Sequence, residues 1–593
     1  MPNGRSAAVR SHRRSGSRRG GRTALFVIVP VLVAAAAGGG VYAFSRYQKT
    51  QCTGQATASI AAAPTIAPLL EQLAQKWTTT SPSVDGACPS ILVRAVESNK
   101  VAIALQSSWP QTLGPQPDVW VPESSAWFRS AQTGDAEQIL PDLQPSVARS
   151  PVVLAMPKAM AEALGWPGKQ PDWSEVLDKT ATDARGWAAY GKTWGAFKLG
   201  MTDPGLSTPG LLALSAIIDR NDDQDIDQTE RNGLLKLRTV LDVKADDTEQ
   251  IMDQFDQQGG SGGDAGLSYI SAFPALEQEV IEHNKAHPNT PLVAIYPKSN
   301  IEADNPYLVL TGAGWADAKR EAVARAFLTY VRSAGKDVFT GAGYRDTNRK
   351  PGPDFTAANG VVSELTALPR GVLLTDAVNE TINTWTALTR TTNALLVLDV
   401  SGSMGEQVPG IGKSKLDLTK QAARQAIEVF QGKGNAGLWS FSSNKQGSKS
   451  YVENVPLGPL SDEMDGGTRQ DALNTAVDGL KAGGNTGMYE TVLAAYKQVQ
   501  TKYVPDATNM VVLLTDGAND DQEKNLKLDQ LIEQLKKGDP KRPVTIVTIA
   551  LGQDANGDVL QQISAATNGP APLVSKGAYD ITDVMQRAIF GAR

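Results

Sequence analysis

The sequence predicts an α/β protein built from two unlike modules and preceded by one membrane-spanning helix. Three observations predict it. Short apolar strands alternate with helical stretches from about residue 51 to the end, which is the signature of α/β folds. A charge-free apolar stretch, 24–44, stands apart from that alternation near the N-terminus. Oxygen-bearing side chains cluster at the ends of two strands in the last third, where open α/β sheets bind ligands. A chain of 593 residues exceeds one domain, and 41% hydrophobic with 20% charged residues is ordinary globular composition.

The first element is a basic tail, 1–23. Arg5, Arg10, Arg13, Arg14, Arg18, Arg19 and Arg22 lie in it, and the first 50 residues hold no acid. Residues 24–44 follow, mostly Val, Ala, Leu, Ile and Gly. At about 1.5 Å per residue they just span the roughly 30 Å of a bilayer core. The arginines on their N-terminal side place the tail in the cytoplasm and the remainder outside, as a single-pass cell-membrane protein. A signal peptide cleaved near Val41-Tyr42-Ala43 is the alternative, but the apolar run is long for one. Without its nine N-terminal cations the net charge of −6 becomes −15, a poor match for nucleic acid.

The next elements run from 51 to 349. Thr57–Ala62 reads as a strand, followed by a helix ending near Trp77. Ile91–Ala95, Asp118–Pro122, Val152–Met156 and Leu292–Tyr296 read as further buried strands in a mostly parallel sheet. Trp109, Trp120 and Trp127 read as core rather than cleft residues. Thr65 follows the first strand, and Ser207 and Thr208 precede the apolar helix Leu211–Ile218. Hydroxyls at helix starts suit an anion or carboxylate ligand, and equally serve as plain N-caps. Cys52 and Cys88 are the only cysteines, and an even pair outside the cell predicts a disulfide.

Between Leu211–Ile218 and a second helical stretch, Leu234–Leu241, lies an acidic run, 219–230. As a twelve-residue calcium loop it offers Asp219, Asn221, Asp223, Asp225, Asp227 and Glu230, with Ile226 at the usual apolar position. It resembles an EF-hand loop and departs from it at Gln224, where the turn calls for glycine. An acidic interhelical linker carrying no Ca²⁺ is the equal alternative. His283 and His287 read as a solvated helix, 277–287, because Asn284 stands where a zinc HExxH motif needs glutamate. With so few histidines, acid–base or nucleophilic catalysis is not expected.

A linker and helix, 350–390, lead to the last module, 391–593. Its strands Leu395–Asp399, Ala436–Ser440, Val511–Thr515 and Thr545–Ala550 alternate with helices Leu416–Phe430, Met488–Val499, Leu526–Lys537 and Val559–Ala566. That pattern is a doubly wound, Rossmann-like sheet. Asp399-Val400-Ser401-Gly402-Ser403 ends the first strand, Thr486 precedes a helix, and Asp516 ends the third strand. Two carboxylates and three hydroxyls make an all-oxygen set suited to Mg²⁺ or Mn²⁺.

These residues carry a resemblance. With DxSxS, Thr and Asp in that order, residues 391–593 resemble a von Willebrand factor type A (VWA) domain. The resemblance implies a metal-ion-dependent adhesion site on Asp399, Ser401, Ser403, Thr486 and Asp516, at which a partner protein's acidic side chain completes the coordination of the ion. Residues 51–349 resemble a bacterial extracellular solute-binding protein on Pro117–Pro122, Ser150–Val153, Asp203–Gly210 and Gly343-Tyr344-Arg345. That resemblance implies two lobes hinged around a small-molecule ligand. The expected function is a cell-surface binding protein. The alternative is the substrate-binding component of an ABC-type transport system, with the VWA module as a docking device.

Overall fold

The computed structural model describes residues 52–575 except 133–135, 142–144, 170–185, 219–229, 231–232, 235–236, 238–240, 260–264, 299–300, 366, 371–374, 409–411, 431–433, 447–448, 465, 517–525 and 552–556. The basic tail, the stretch 24–44 and all of the acidic loop except Glu230 therefore lie outside the described residues. Among the described residues, no helix is long and apolar enough to cross a membrane.

The first lobe is built on β1 (Gln55–Ala62), β2 (Cys88–Ala95), β3 (Val119–Val121) and β10 (Leu308–Val309), in the order β10-β3-β1-β2. β1 pairs parallel with both neighbours, and β10 closes the edge antiparallel. The small residues of β1 lie flat against helices Ala67–Thr79 and Ala318–Ala334, burying Leu70, Leu73, Trp77, Val323 and Phe327. Asp317 caps the second helix by accepting 3.0 Å bonds from the N–H groups of Lys319 and Arg320. Cys52 and Cys88 are disulfide-bonded, as expected. Closing that loop stabilises the lobe by about 4 kcal/mol in the chain-entropy model.

The second lobe corrects the expected parallel sheet. Its central strand β4 (Ser150–Pro157) pairs antiparallel with β7 (Phe273–Leu276), β8 (Leu292–Ile295) and β9 (Glu302–Ala303). The run read as helix to Leu241 ends earlier, because Leu241 opens strand β6 (Leu241–Ala245), which lies parallel to β5 (Leu199–Thr202). Helix Thr208–Ile218 is buried on every side, as its sequence, apolar but for Thr208 and Ser215, requires. The chain crosses between lobes three times; the first two crossings run side by side through Val147 N–H to Asn305 O and Tyr307 N–H to Pro145 O, both 3.0 Å, and the third lies against the first where Arg149 N donates to Arg345 O at 3.0 Å and Arg345 N to Arg149 O at 2.9 Å. The stretch read as a linker is packed instead. Phe355 and Val361 are buried in the second lobe, and Gly360 O accepts from Ala294 N at 2.7 Å.

The last module is a six-stranded sheet in the order β13-β12-β11-β16-β17-β18. Its strands are β11 (Thr392–Asp399), β12 (Gly434–Gln446), β13 (Lys449–Pro459), β16 (Thr508–Thr515), β17 (Thr545–Leu551) and β18 (Leu573–Ser575); a small hairpin, β14 (Glu463–Met464) and β15 (Gly467–Thr468), stands apart. β13 was not foreseen. It adds an antiparallel edge to an otherwise parallel sheet. Both faces are covered, as the near-continuous apolar runs demand: Leu396, Leu398, Val512 and Leu514 point into one helix layer, and Leu395, Val397, Val511 and Leu513 into the other.

Candidate functional site

β11 and β16 are adjacent and in register, Leu398 opposite Leu514, so their carboxyl ends deliver Asp399 and Asp516 to one place. Asp399 is fully buried. Its Oδ1 accepts from Ser401 N at 2.8 Å and its Oδ2 from Thr515 Oγ1 at 2.6 Å. Ser401 Oγ lies 3.2 Å from Ser403 Oγ, which donates to Asp516 Oδ1 at 3.1 Å. The loop carrying Thr486 is tied to the same place, because Gly483 N donates to Val400 O and Gly402 N to Gly484 O, both at 2.8 Å. Gly484 has φ +87°, a left-handed conformation that glycine adopts freely, and a Cβ there would meet Ser442 Oγ at 2.9 Å. Thr486 is buried. Four of the five expected residues thus form one hydrogen-bonded chain, and the fifth sits on a loop bonded to it.

Burial raises the Asp399 carboxyl to about 6; bonds from Thr515 and Ser401 oppose the rise, and the nearby negative charge of Asp516 adds to it. Two carboxylates held close with hydroxyl neighbours fit a hard divalent cation, whose charge would offset their repulsion. The donors are all oxygen, and among the described residues no cluster of three or more His, Cys, Asp or Glu side chains offers a different kind of metal centre. Two participants were not foreseen. Thr515 orients Asp399, and Lys415, which opens helix Lys415–Phe430, places its ammonium 2.9 Å from Asp516 Oδ2. Thr515 is adjacent to Asp516 in sequence and could have been found; nothing local marks Lys415.

The second set of expected ligand residues meets across the lobes. Thr65 in the first lobe donates at 2.9 Å to Glu123 Oε1, and Thr208 in the second lobe donates to Glu123 Oε2. Trp127 Nε1 in turn donates to Thr208 Oγ1 at 2.8 Å. Ser207 does not join them, since it pairs with Thr202 Oγ1 at 2.8 Å. Burial pushes the Glu123 carboxyl up, against the bonds from Thr208 and Thr65. The anion expected for Thr65 and Thr208 is therefore a carboxylate of the chain itself.

Two family models match in sequence. Residues 58–345 match the bacterial extracellular solute-binding protein model, and residues 393–587 the von Willebrand factor type A domain. This chain joins a solute-binding domain to a VWA domain. It is similar to uncharacterized proteins of two Mycobacterium tuberculosis strains, 25% identical over 587 residues, covering 94% of this chain and 81% of theirs. Among solved structures, a von Willebrand factor type A protein from Catenulispora acidiphila is 18% identical with TM-score 0.27, covering 34% of this chain and 42% of that one. An ABC transporter from Clostridium perfringens is 11% identical with TM-score 0.36, covering 55% of this chain and 97% of that one.

The remaining expected residues fall as follows. In the solute-binding domain Trp120 and Trp127 are core residues, and Trp109 packs on the same cluster. The helix expected to be solvated is Glu277–Ala286, with one face buried. His283 is 6% exposed, and its Nε2 lies 3.2 Å from Asp256 Oδ1. Glu230 is buried.

Proposed function

We propose that this is an envelope-anchored binding protein in which the VWA domain captures a protein partner through an acidic side chain. The observation that carries this reading is the juxtaposition of Asp399 and Asp516 on neighbouring strand ends, linked through Ser401 and Ser403. Asp399, Ser401, Ser403, Thr486 and Asp516 would hold Mg²⁺ or Mn²⁺. When bound, the ion supplies a positive charge to which a partner carboxylate can add directly.

The chain's own residues prepare that contact. Thr515 and the Ser401 N–H fix the orientation of Asp399, so little is lost in ordering it on binding. The two glycine-loop bonds hold Thr486 against the Val400–Gly402 turn. Lys415 holds Asp516 near the site until the ion outcompetes it. The solute-binding domain is read as the arm that carries the VWA domain and holds a small ligand, and the apolar stretch 24–44 as the membrane anchor.

The test is capture of envelope proteins by full-length protein in Mg²⁺, beside the same protein in EDTA and its Asp399→Ala variant. Capture in Mg²⁺ that is lost in both controls is expected. Equal capture in all three would overturn the reading.

A further inference from the structure

We propose that the interlobe site recognises a carboxylate, that the chain fills it with its own Glu123, and that helix Thr375–Thr389 clamps the lobes shut over it. This rests on the reading of the solute-binding domain as a ligand-holding module and adds the ligand's chemical class and its control.

The first support is the hydrogen bonding. Thr65 and Thr208 come from opposite lobes and grip the two oxygens of one carboxylate. Hydroxyl donors on both sides of a half-buried carboxylate make a specific acceptor site, and a ligand carboxylate reproduces both bonds that the Glu123 carboxylate accepts. Tyr344, 1% exposed, sets its hydroxyl beside Thr65 and near Glu123, at the edge of this grip. Trp127 and Thr208, and Asn99 Nδ2 with Gly205 O at 3.4 Å, add further bonds across the seam.

The second support is the helix. Thr375–Thr389 packs on helix Ser125–Ala131 of the first lobe and on helix Thr208–Ile218 of the second. Its Val378 and Trp385 are buried in one apolar cluster with Trp127 and Phe128 from one lobe and Leu211 and Leu214 from the other. Thr381 Oγ1 stands 3.0 Å from Ser215 Oγ of the second lobe. Parting the lobes must expose this cluster, so the helix has to leave at least one of them. Only Arg390 and Thr391 separate the helix from β11, whose last residue is Asp399. Release of the clamp therefore frees the segment that tethers the VWA domain, and by reciprocity anything that holds the VWA domain away from the lobes favours ligand entry.

The test uses the full-length protein and sodium acetate as the probe, with methylammonium chloride at equal ionic strength as the control. Glu123→Ala removes the internal carboxylate. We expect a lower Tm than wild type, a rise of several degrees with acetate and none with methylammonium, and wild type indifferent to both. A folded Glu123→Ala protein that acetate does not stabilise overturns the carboxylate assignment. Trp385→Ala tests the clamp separately. A larger radius of gyration in solution scattering than wild type is expected, and an unchanged radius overturns the clamp, including where Glu123→Ala does not fold. Mg²⁺-dependent capture by the same proteins is scored apart, so a failed metal reading leaves both outcomes interpretable.

Discussion

The Lys415 ammonium lies 2.9 Å from Asp516 Oδ2 and so competes for the carboxylate that the VWA site would offer a divalent cation. It also reaches Glu406 Oε2 at 2.9 Å, and those two partners raise its pKa against the effect of its own burial. Removing the ammonium frees Asp516 for the ion at the cost of a partly buried ion pair. Lys415→Met is expected to tighten Mg²⁺ binding by roughly fivefold, about 1 kcal/mol, with an affinity more sensitive to salt, because screening no longer weakens a competing ion pair as well. Calorimetric titration at two ionic strengths checks it; weaker binding in the variant would make Lys415 a supporting residue instead of a competitor.

Asp399 has a structural role as well, since Thr515 and the Ser401 N–H both point at it. Asp399→Asn keeps an acceptor for one of these bonds and removes the charge. It should abolish Mg²⁺ binding while lowering Tm by only a few degrees, whereas Asp399→Ala removes both acceptor oxygens that Thr515 and the Ser401 N–H use and costs about 1–3 kcal/mol more. Titration and thermal unfolding on the same samples separate the two effects. Undiminished Mg²⁺ binding by the Asn variant would remove Asp399 from the ligand set.

Arg345 makes a second kind of buried carboxylate contact. Its Nε and Nη2 each donate at 2.7 Å to the two oxygens of Glu277, with both side chains at or below 1% exposure. Its remaining N–H groups reach Ser363 O at 2.9 Å and Val362 O at 2.7 Å, which binds the segment after the lobes to the helix Glu277–Ala286. Arg345→Met strands a buried carboxylate and should cost about 3–5 kcal/mol in urea unfolding. Adding Glu277→Gln should restore part of that loss, because a neutral amide is far cheaper to bury. A double variant no more stable than Arg345→Met would show that the backbone contacts, not the charge pair, carry the stability.

The VWA half of the fold was legible because its strands are apolar on both faces and its motif residues fall at strand ends, where position alone brings Asp399 to Asp516. β13 escaped because its sequence, Lys449–Pro459, is an edge strand with mixed burial and little periodicity. In the second lobe the strands were found but their direction was not, since Val152–Met156 and Leu292–Tyr296 read the same way parallel or antiparallel and only the crossings decide. Thr65 and Thr208 were singled out as helix-start hydroxyls, yet their partner Glu123 comes from a third segment, just after β3. No short-range pattern announces a contact made between residues 58 and 85 positions apart. The clamp was hidden for the same reason: Thr375–Thr389 reads as an ordinary linker helix until the lobes it bridges are in place.

Glu279 gives the interlobe region a pH dependence of known sign. Loss of solvent raises its carboxyl from 4.5 to about 8, and the charges of Glu123 and Glu282 push the same way, while the Leu276 N–H donating to it at 2.7 Å opposes them. Between those two values the folded protein keeps a proton that the unfolded chain releases. Stability should therefore fall as pH rises from about 4.5 and level off above about 8, by at most roughly 1.4 kcal/mol per pH unit. Glu279→Gln keeps the acceptor for Leu276 and removes the titration. Its unfolding free energy should match wild type near pH 4.5 and exceed it increasingly toward pH 8. Urea unfolding of both proteins across that range decides the matter, and parallel curves would mean that Glu279 is already ionised in the folded protein at neutral pH.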